Sequence, residues 1–260
     1  MRLAFFSDIH ANLPALEAVF EDLERRAPDM TFCLGDLVGY APWPNEVAAA
    51  IRGRGVPTLA GNYDEGVGNN SDDCGCAYKT EEDQARGAES IAFTNQVVTE
   101  ETRAYLRGLP RHLRLEFGTG ERHIQILMVH GSPRKINEYL FEERPDRSFL
   151  RLMEQAGADV LLFGHTHIPF HKVLPYEADG TPRYRHALNI GSVGKPKDGD
   201  PRACYVILHL PDAEPAALTA EAAALGVEVV RVAYDVERAA TAVEKSPLPD
   251  AFAEMLRKAY

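Results

Sequence analysis

Short apolar runs alternate with amphipathic stretches through the first 62 residues, and this alternation limits the folds open to the chain. The apolar runs cover residues 2–7, 30–35 and 56–62, which indicates strands buried on both faces. The stretches between them have Pro14 and Pro44 in their first turns, where a missing N–H destabilises a helix little. This β-α-β-α-β order predicts a parallel sheet with right-handed crossover connections.

The remainder of the chain reads as further mixed structure without an internal repeat or an interdomain linker. Residues 66–80 lack periodicity and are rich in turn formers, which predicts a long surface loop, and residues 80–107 are expected to be helical. Further strands are predicted at residues 111–117, 122–129, 158–164, 169–176, 183–192, 202–210 and 227–234. Two helices follow, with Asp235 as the cap of the first. We expect a single domain over residues 1–260.

Composition and charge exclude several classes of function. The formal net charge is −11 over 260 residues, so the surface as a whole repels nucleic-acid duplexes and anionic membranes. No stretch approaches the roughly 20 consecutive apolar residues of a membrane span, and the opening MRLAFFSDIH turns polar too early for a signal peptide. The four cysteines are too few for a disulfide framework, which predicts reduced thiols in a cytoplasmic protein.

Residues with metal-binding side chains follow five of the predicted strands. Because ligands bind beyond the carboxyl ends of parallel strands, these side chains are expected to converge at one rim. They are Asp8, His10, Asp36, Asn62, His130, His165 and His167. Oxygen and imidazole donors without thiolate favour Mn, Fe, Zn or a similar divalent ion over a structural zinc cage. Seven donors exceed what one ion uses, which predicts two ions with a shared carboxylate, a recurring device for phosphate ester hydrolysis.

The pair His165 and His167 leaves more than one interpretation open when it is considered alone. Side chains two residues apart in a strand face the same way, so the two imidazoles can reach one ion or two adjacent ions. Two solvated loop histidines would have the same spacing. The rest of the sequence therefore has to decide between these interpretations, through the order in which its motifs occur.

The motifs D-x-H, G-D-x-x-G, G-N-x-D, H-G after an apolar strand, and G-H-T-H occur in this order from Asp8 to His167. In this order they resemble the calcineurin-like metallophosphoesterase superfamily, and the chain is most similar to its small bacterial and archaeal single-domain phosphodiesterases. The resemblance implies an α/β fold, a four-layer α/β/β/α sandwich of two facing mixed β-sheets. It also implies one metal held by Asp8, His10, Asp36 and His167, and a second held by Asp36, Asn62, His130 and His165.

The chain departs from the usual family pattern at Tyr63, where most relatives have histidine in G-N-H-D. A phenol with an ordinary pKa near 10 can donate a hydrogen bond but does not supply the positive charge of an imidazolium. We therefore expect good leaving groups, in a nucleotide-like phosphodiester or phosphoanhydride, with Tyr63 and Asp64 as the candidate catalytic residues. The alternative is that Tyr63 only packs in the wall of the site while Asp64 holds the loop.

Two residues beside the donors, Asn12 and Arg134, are candidate contacts to a small phosphorylated substrate. The pair Cys74 and Cys76 is interpreted as part of the predicted loop, since two cysteines alone do not complete a tetrahedral metal site. A non-catalytic metal-binding scaffold or ligand sensor on the same fold is the competing function, and the full donor set favours catalysis over it. The oligomeric state is left open.

Overall fold

Two mixed β-sheets face each other across an apolar layer in the computed structural model, which describes residues 1–78, 80–119, 122–210, 221 and 224–260. The strands are β1 (Arg2–Phe6), β2 (Met30–Cys33), β3 (His112–Thr119), β4 (Arg122–Val129), β5 (Val160–Phe163), β6 (Phe170–Ala178), β7 (Thr181–Asn189), β8 (Ala203–His209) and β9 (Gly226–Val232). The four-stranded sheet has the order β2-β1-β8-β9, and the five-stranded sheet has the order β3-β4-β5-β7-β6. Parallel pairing joins β1 to β2, and β5 to both β4 and β7.

Helices pack on the outer faces of both sheets and complete the expected four-layer α/β/β/α sandwich. They are α1 (Leu13–Arg26), α2 (Pro44–Gly53), α3 (Asn62–Gly68), α4 (Glu81–Val97), α5 (Glu100–Arg107), α6 (Asp146–Ala156), α7 (Val236–Glu244) and α8 (Ala251–Lys258). Helices α1 to α5 contribute to the core on the outer face of the four-stranded sheet. Helix α6 covers the five-stranded sheet with Phe149, Leu152 and Met153.

The layer between the sheets explains why the strands read as continuous apolar runs. In β1, Leu3 and Phe5 point toward the five-stranded sheet, whereas Ala4 and Phe6 point toward the helices. Both sets of side chains are buried, because a strand covered on both faces needs apolar residues at every position. Phe5 stacks on Phe32 of the neighbouring strand, with ring centroids 5.5 Å apart. The inter-sheet core thereby fixes the ends of β1 and β2 relative to the opposite sheet.

The predicted strand at residues 56–62 is wrong, and with it the three-stranded parallel unit. The segment forms only an isolated parallel bridge between Thr58 and Cys33. The backbone N–H of Ala60 donates to the carbonyl of Pro110 instead of to β2, at 2.8 Å. Helix α3 then begins at Asn62, because Asp64 accepts a hydrogen bond from the backbone N–H of Gly61 at 2.9 Å and caps the helix.

Other expectations about local structure are mostly confirmed. The predicted helical region 80–107 forms two helices, since Thr99 caps α5 by accepting a hydrogen bond from the N–H of Thr102. Asp235 caps α7 as expected, through the N–H of Arg238 at 2.9 Å. The predicted loop at 66–80 begins only after α3, and it is not confined to the surface because Cys74 is buried in the core. Among the described residues, no helix is both long enough and apolar enough to cross a lipid bilayer.

Truncation of the stacked phenylalanine tests the importance of the inter-sheet layer. Phe5→Ala should lower the free energy of unfolding by about 3–5 kcal/mol, because Phe5 is fully buried and its removal leaves a cavity. Val229→Ala in β9 is the control, since Val229 is 46 % exposed and its truncation should change stability by less than about 0.5 kcal/mol. Urea unfolding measures both variants. Equal midpoints would contradict the assignment of Phe5 to the central core.

Candidate metal centre

The seven predicted donors meet at one rim of the facing sheets. They follow the carboxyl ends of β1, β2, β4 and β5, except for Asn62, which opens α3. Each of the seven is at most 4 % exposed. Burial of this many polar side chains in one place is unfavourable unless each has a polar partner or a cation to bind.

Six of the donors form two compact groups. Donor atoms of Asp8, His10 and His167 lie within 4.8 Å of one another, and the same holds for Asp36, His130 and His165. Asp36 lies between the groups, because its Oδ2 is 3.6 Å from Nε2 of His10 and 3.3 Å from Nε2 of His130. The predicted division of the donors between two neighbouring positions is therefore compatible with the observed distances.

Hydrogen bonds to backbone carbonyls orient three of the imidazoles. Nδ1 of His10 donates to Val38 O at 3.0 Å, and Nδ1 of His130 donates to Leu34 O at 2.9 Å. Nδ1 of His167 donates in the same way to Lys195 O at 2.5 Å. In the neutral form of each ring the proton stays on Nδ1, so the lone pair lies on Nε2 and faces the other donors. This is the tautomer and orientation that a metal-binding histidine requires.

Two buried atoms of the candidate metal ligands have no hydrogen-bond partner among the described residues. They are Oδ1 of Asp8 and Nε2 of His165. Nε2 of His167 lies 3.1 Å from Asp8 Oδ1, so a lone pair faces a carboxylate oxygen at short range. Such a contact is repulsive unless a positive charge lies beside it. The donor set and its unsatisfied atoms therefore fit divalent cations.

Asn62 is oriented by the segment that contains the two neighbouring cysteines. Its Nδ2 donates to Cys74 O at 2.8 Å and to Cys76 Sγ at 3.3 Å. Its Oδ1 consequently points toward His130, whose Nε2 is 3.1 Å away. The sequence motifs did not predict this role. Cys74 accepts a hydrogen bond through its backbone carbonyl and Cys76 through its thiol, rather than as metal ligands.

The backbone at five donors has positive φ angles, between 49° and 66°, in the left-handed region that non-glycine residues rarely adopt. These donors are Asp8, His10, Asp36, His165 and His167. Such conformations are unfavourable by about 1–3 kcal/mol each and persist where surrounding contacts enforce them. Gly164 permits the close approach of two such turns, because a Cβ at this position would lie 2.3 Å from Asp8 Oδ2.

The four imidazoles of the site differ in their pKa and therefore in their protonation. Burial lowers the pKa of His10 and His165 well below the usual value, and it lowers the pKa of His167 as well. Burial also acts to lower the pKa of His130, but the carboxylates of Asp36 and Asp8 outweigh it and raise that pKa to about 10. Three imidazoles are therefore neutral and ready to bind a cation, whereas His130 carries a proton until one binds.

The loop after β7 closes the first donor group. The hydroxyl of Ser192 donates to Asp8 O at 2.8 Å and accepts a hydrogen bond from the N–H of Lys195 at 2.9 Å. Lys195 in turn supplies the carbonyl that orients His167. The sequence places this loop about 180 residues from Asp8, and no spacing rule connects the two positions.

Tyr63 and Asp64 lie beside the donors in distinct roles. Tyr63 is buried, its ring packs edge-on against His10 at 5.3 Å, and its hydroxyl is 3.2 Å from that of Tyr78. Asp64 accepts hydrogen bonds from the backbone N–H groups of Leu37 and Gly61, which connects the turn after β2 to α3. Burial, reinforced by the charge of Asp36, raises the pKa of Asp64 to about 7. Catalytic roles for these residues stay predictions.

The two candidate substrate contacts have internal partners. Asn12 is buried and caps α1, and its Nδ2 donates to Gly194 O at 2.9 Å and to Tyr234 OH at 3.2 Å. The half-exposed guanidinium of Arg134 pairs with Glu138. A substrate contact would require either side chain to exchange these partners, so both assignments stay predictions.

The fold and the buried donor groups at its rim are those of a metal-dependent phosphoesterase. A family model described as the calcineurin-like phosphoesterase superfamily domain matches residues 1–213, which contain all seven donors, and the chain belongs to this family. The protein is accordingly a metal-dependent phosphoesterase, as the order of its motifs predicts.

Three relatives illustrate how far this similarity extends. The uncharacterized protein MJ0912 of Methanocaldococcus jannaschii is 35% identical over 217 residues, which cover 79% of this chain and 81% of that protein. A metallophosphoesterase from Sphaerobacter thermophilus has 28% identity and a TM-score of 0.70, with 100% of this chain and 99% of that chain covered. The hypothetical protein PH1004 from Pyrococcus horikoshii OT3 has the same fold, with 21% identity, a TM-score of 0.76 and coverage of 100% and 98%.

Protonation of His130 predicts that metal binding releases a proton. Because the pKa of His130 is about 10 before a cation binds, the apparent affinity for Mn²⁺ should rise between pH 6 and 9, by about tenfold per pH unit for one proton. Calorimetric titration in two buffers with different ionisation enthalpies measures the number of protons released. The exposed histidine variant His209→Gln should release the same number. An affinity independent of pH would contradict the charged state assigned to His130.

Close packing at Gly164 predicts a metal-binding defect without a change of any donor. Gly164→Ala places a methyl group 2.3 Å from Asp8 Oδ2 and 2.6 Å from Ser7 Oγ, so Asp8 must move. We expect the affinity for Mn²⁺ to fall by about tenfold or more. Gly53→Ala is the matched control, since nothing lies within 4 Å of its added Cβ. Elemental analysis after dialysis compares the two, and equal metal content would refute the prediction.

Proposed function

We propose that the protein uses two divalent ions to hydrolyse a phosphodiester or phosphoanhydride whose leaving group is good, with a nucleotide-like compound as the substrate class. The observation that carries the two-ion part is the position of Asp36, whose Oδ2 lies within 3.6 Å of an imidazole nitrogen from each donor group. A carboxylate shared in this way suits a pair of adjacent cations better than a single one.

The chemistry of the donors indicates which ions would serve. Carboxylate, amide and imidazole groups without a thiolate favour Mn, Fe or Zn, and Mn²⁺ is our first choice for reconstitution. When bound, such ions lower the pKa of water and neutralise charge on phosphoryl oxygens. The residues of the chain hold the donors in place, through the backbone carbonyls that fix the imidazoles and through the left-handed turns at the strand ends.

The preference for a good leaving group follows from Tyr63. Burial, followed by the proximity of Tyr40, raises the pKa of its phenol well above the usual value, so it stays neutral at working pH. It can donate a hydrogen bond, but it is a weaker general acid than an imidazolium and carries no positive charge to stabilise a poor leaving group. Phosphate, nucleotide and aryl oxide groups leave without that help. A cytoplasmic location and a small phosphorylated substrate belong to the same proposal.

Replacement of the shared carboxylate tests this function. In Mn²⁺-reconstituted protein, Asp36→Asn should lower turnover of bis(p-nitrophenyl) phosphate at least about a hundredfold. The fold should persist, because an amide oxygen can still accept the hydrogen bond from the N–H of Tyr63 that Asp36 accepts at 2.8 Å. Asp72→Asn on the exposed loop is the control and should keep full activity.

A substrate comparison tests the leaving-group part. Bis(p-nitrophenyl) phosphate and dinucleoside polyphosphates should exceed glycerol phosphate in kcat/KM, with p-nitrophenyl phosphate as the aryl monoester reference. Fastest turnover of the alkyl monoester would overturn the leaving-group preference, and full activity of Asp36→Asn would overturn the two-ion proposal.

A further inference from the structure

A cavity of about 690 Å³ opens beside the donor groups, and aromatic and cationic side chains line it. Thr166, which separates the two histidines of the G-H-T-H motif, forms part of its wall. The ring of Tyr139 lies 4.0 Å from that of His165, and the ring of Tyr40 lies 4.8 Å from that of His10. The cavity therefore adjoins both donor groups. Its volume is in the range of about 300–1,000 Å³ that small-ligand sites occupy.

One wall of this cavity is a stacked aromatic pair at its mouth. The rings of Tyr139 and Phe141 are 5.8 Å apart and inclined by only 9°. Phe141 is 44 % exposed and the neighbouring Ile168 is 37 % exposed, so apolar surface is left uncovered. A planar ring that stacks on Phe141 would bury this surface and extend the pair.

Two lysines that line the cavity form no salt bridge to a carboxylate of the described residues. Lys195 is 5 % exposed, and its Nζ lies 4.7 Å from the ring centroid of Tyr40. Lys197 is half-buried beside it. Within the part of the chain that the structure describes, neither ammonium group forms an ion pair, whereas the nearby Arg86 pairs with Asp83 and Glu82.

The charges around the cavity favour a ligand with more than one negative charge. The two donor groups contain two carboxylates, Asp8 and Asp36. Two divalent ions together with Lys195 and Lys197 leave an excess of positive charge that a singly charged phosphodiester does not offset. A ligand with several phosphates does offset it, and this local positive charge would let a chain with a net charge of −11 retain an anionic substrate.

We propose that this cavity binds a nucleoside polyphosphate, with the base stacked on Phe141 and the non-reacting phosphate held by Lys195 and Lys197. This rests on the proposed function and narrows its substrate class from esters in general to an anhydride. Hydrolysis adds one water across the P–O–P bond. The water oxygen bonds to the reacting phosphorus, the bridging oxygen leaves with the nucleotide, and a proton is released to solvent; no electrons are transferred.

Binding measurements separate the contributions of the ring and the charge. The probes for the Mn²⁺-loaded protein are inorganic phosphate, AMP and α,β-methylene-ADP, whose bridging carbon resists hydrolysis. Affinity should rise in that order. Phe141→Ala should lower the affinity for AMP and for α,β-methylene-ADP by at least about fivefold, which corresponds to the weakest base-stacking contributions, and should leave the affinity for phosphate unchanged. Lys197→Met should lower the affinity for α,β-methylene-ADP more than the affinity for AMP. Lys197→Arg should restore the affinity for α,β-methylene-ADP.

Matched variants outside the cavity are the controls. Tyr176→Ala removes an aromatic ring from β6, and Lys245→Met removes an exposed cation after α7. Neither should change any of the three affinities. Equal affinity for phosphate and α,β-methylene-ADP, or unchanged binding in both Phe141→Ala and Lys197→Met, would overturn the nucleotide site.

Turnover of bis(p-nitrophenyl) phosphate reports on the proposed function independently. Turnover that depends on Asp36, without the expected binding pattern, would refute the nucleotide site and leave the phosphoesterase proposal intact. The binding pattern without any turnover would support the nucleotide site and refute the proposed reaction.

Discussion

Close approach of polar groups in a dry environment is the constraint on which the rest of this structure depends. Carboxylates, imidazoles and an amide meet where almost no solvent reaches them, and such burial is unfavourable without compensation. Compensation comes from the backbone, since Val38, Leu34 and Lys195 each offer a carbonyl to an imidazole N–H. These bonds satisfy the outer edge of each ring and leave the inner edge for a cation. Asp8 Oδ1 and His165 Nε2, which have no hydrogen-bond partner among the described residues, are the part of the site that a bound cation would complete.

The sandwich supplies the rigidity that this arrangement needs. Five donors have left-handed backbone conformations, and such conformations persist only where neighbouring contacts enforce them. The strand ends are held by the inter-sheet core, while Asp64 and Ser192 tie the turns to α3 and to the loop after β7. The geometry of the donors thus depends on the packing of the sheets. Looser packing between the sheets would let the donor residues relax from their strained left-handed backbone conformations.

The sequence was most informative where chemistry and local pattern coincide. Each candidate donor follows an apolar run or a glycine turn, so the motifs singled out seven side chains and predicted the convergence that the structure shows. Local pattern misled at residues 56–62, where apolar composition indicated a strand but hydrogen bonding to Pro110 and capping by Asp64 favoured a turn into α3. The contacts of Cys76 with Asn62 and of Ser192 with Asp8 could not be predicted from the sequence. They are made by a thiol and a hydroxyl group, and no motif fixes the sequence separation between the two partners.

The cavity is lined by residues from the part of the chain that the family model matches and by residues that follow it. All donors lie within residues 1–213, the part that the family model matches, whereas Phe252, Met255 and Tyr260 reach the cavity from α8 and the residues after it. Part of the cavity wall is therefore encoded outside the stretch that contains the donors. Substitutions in the last ten residues would change the shape of that wall without altering any donor.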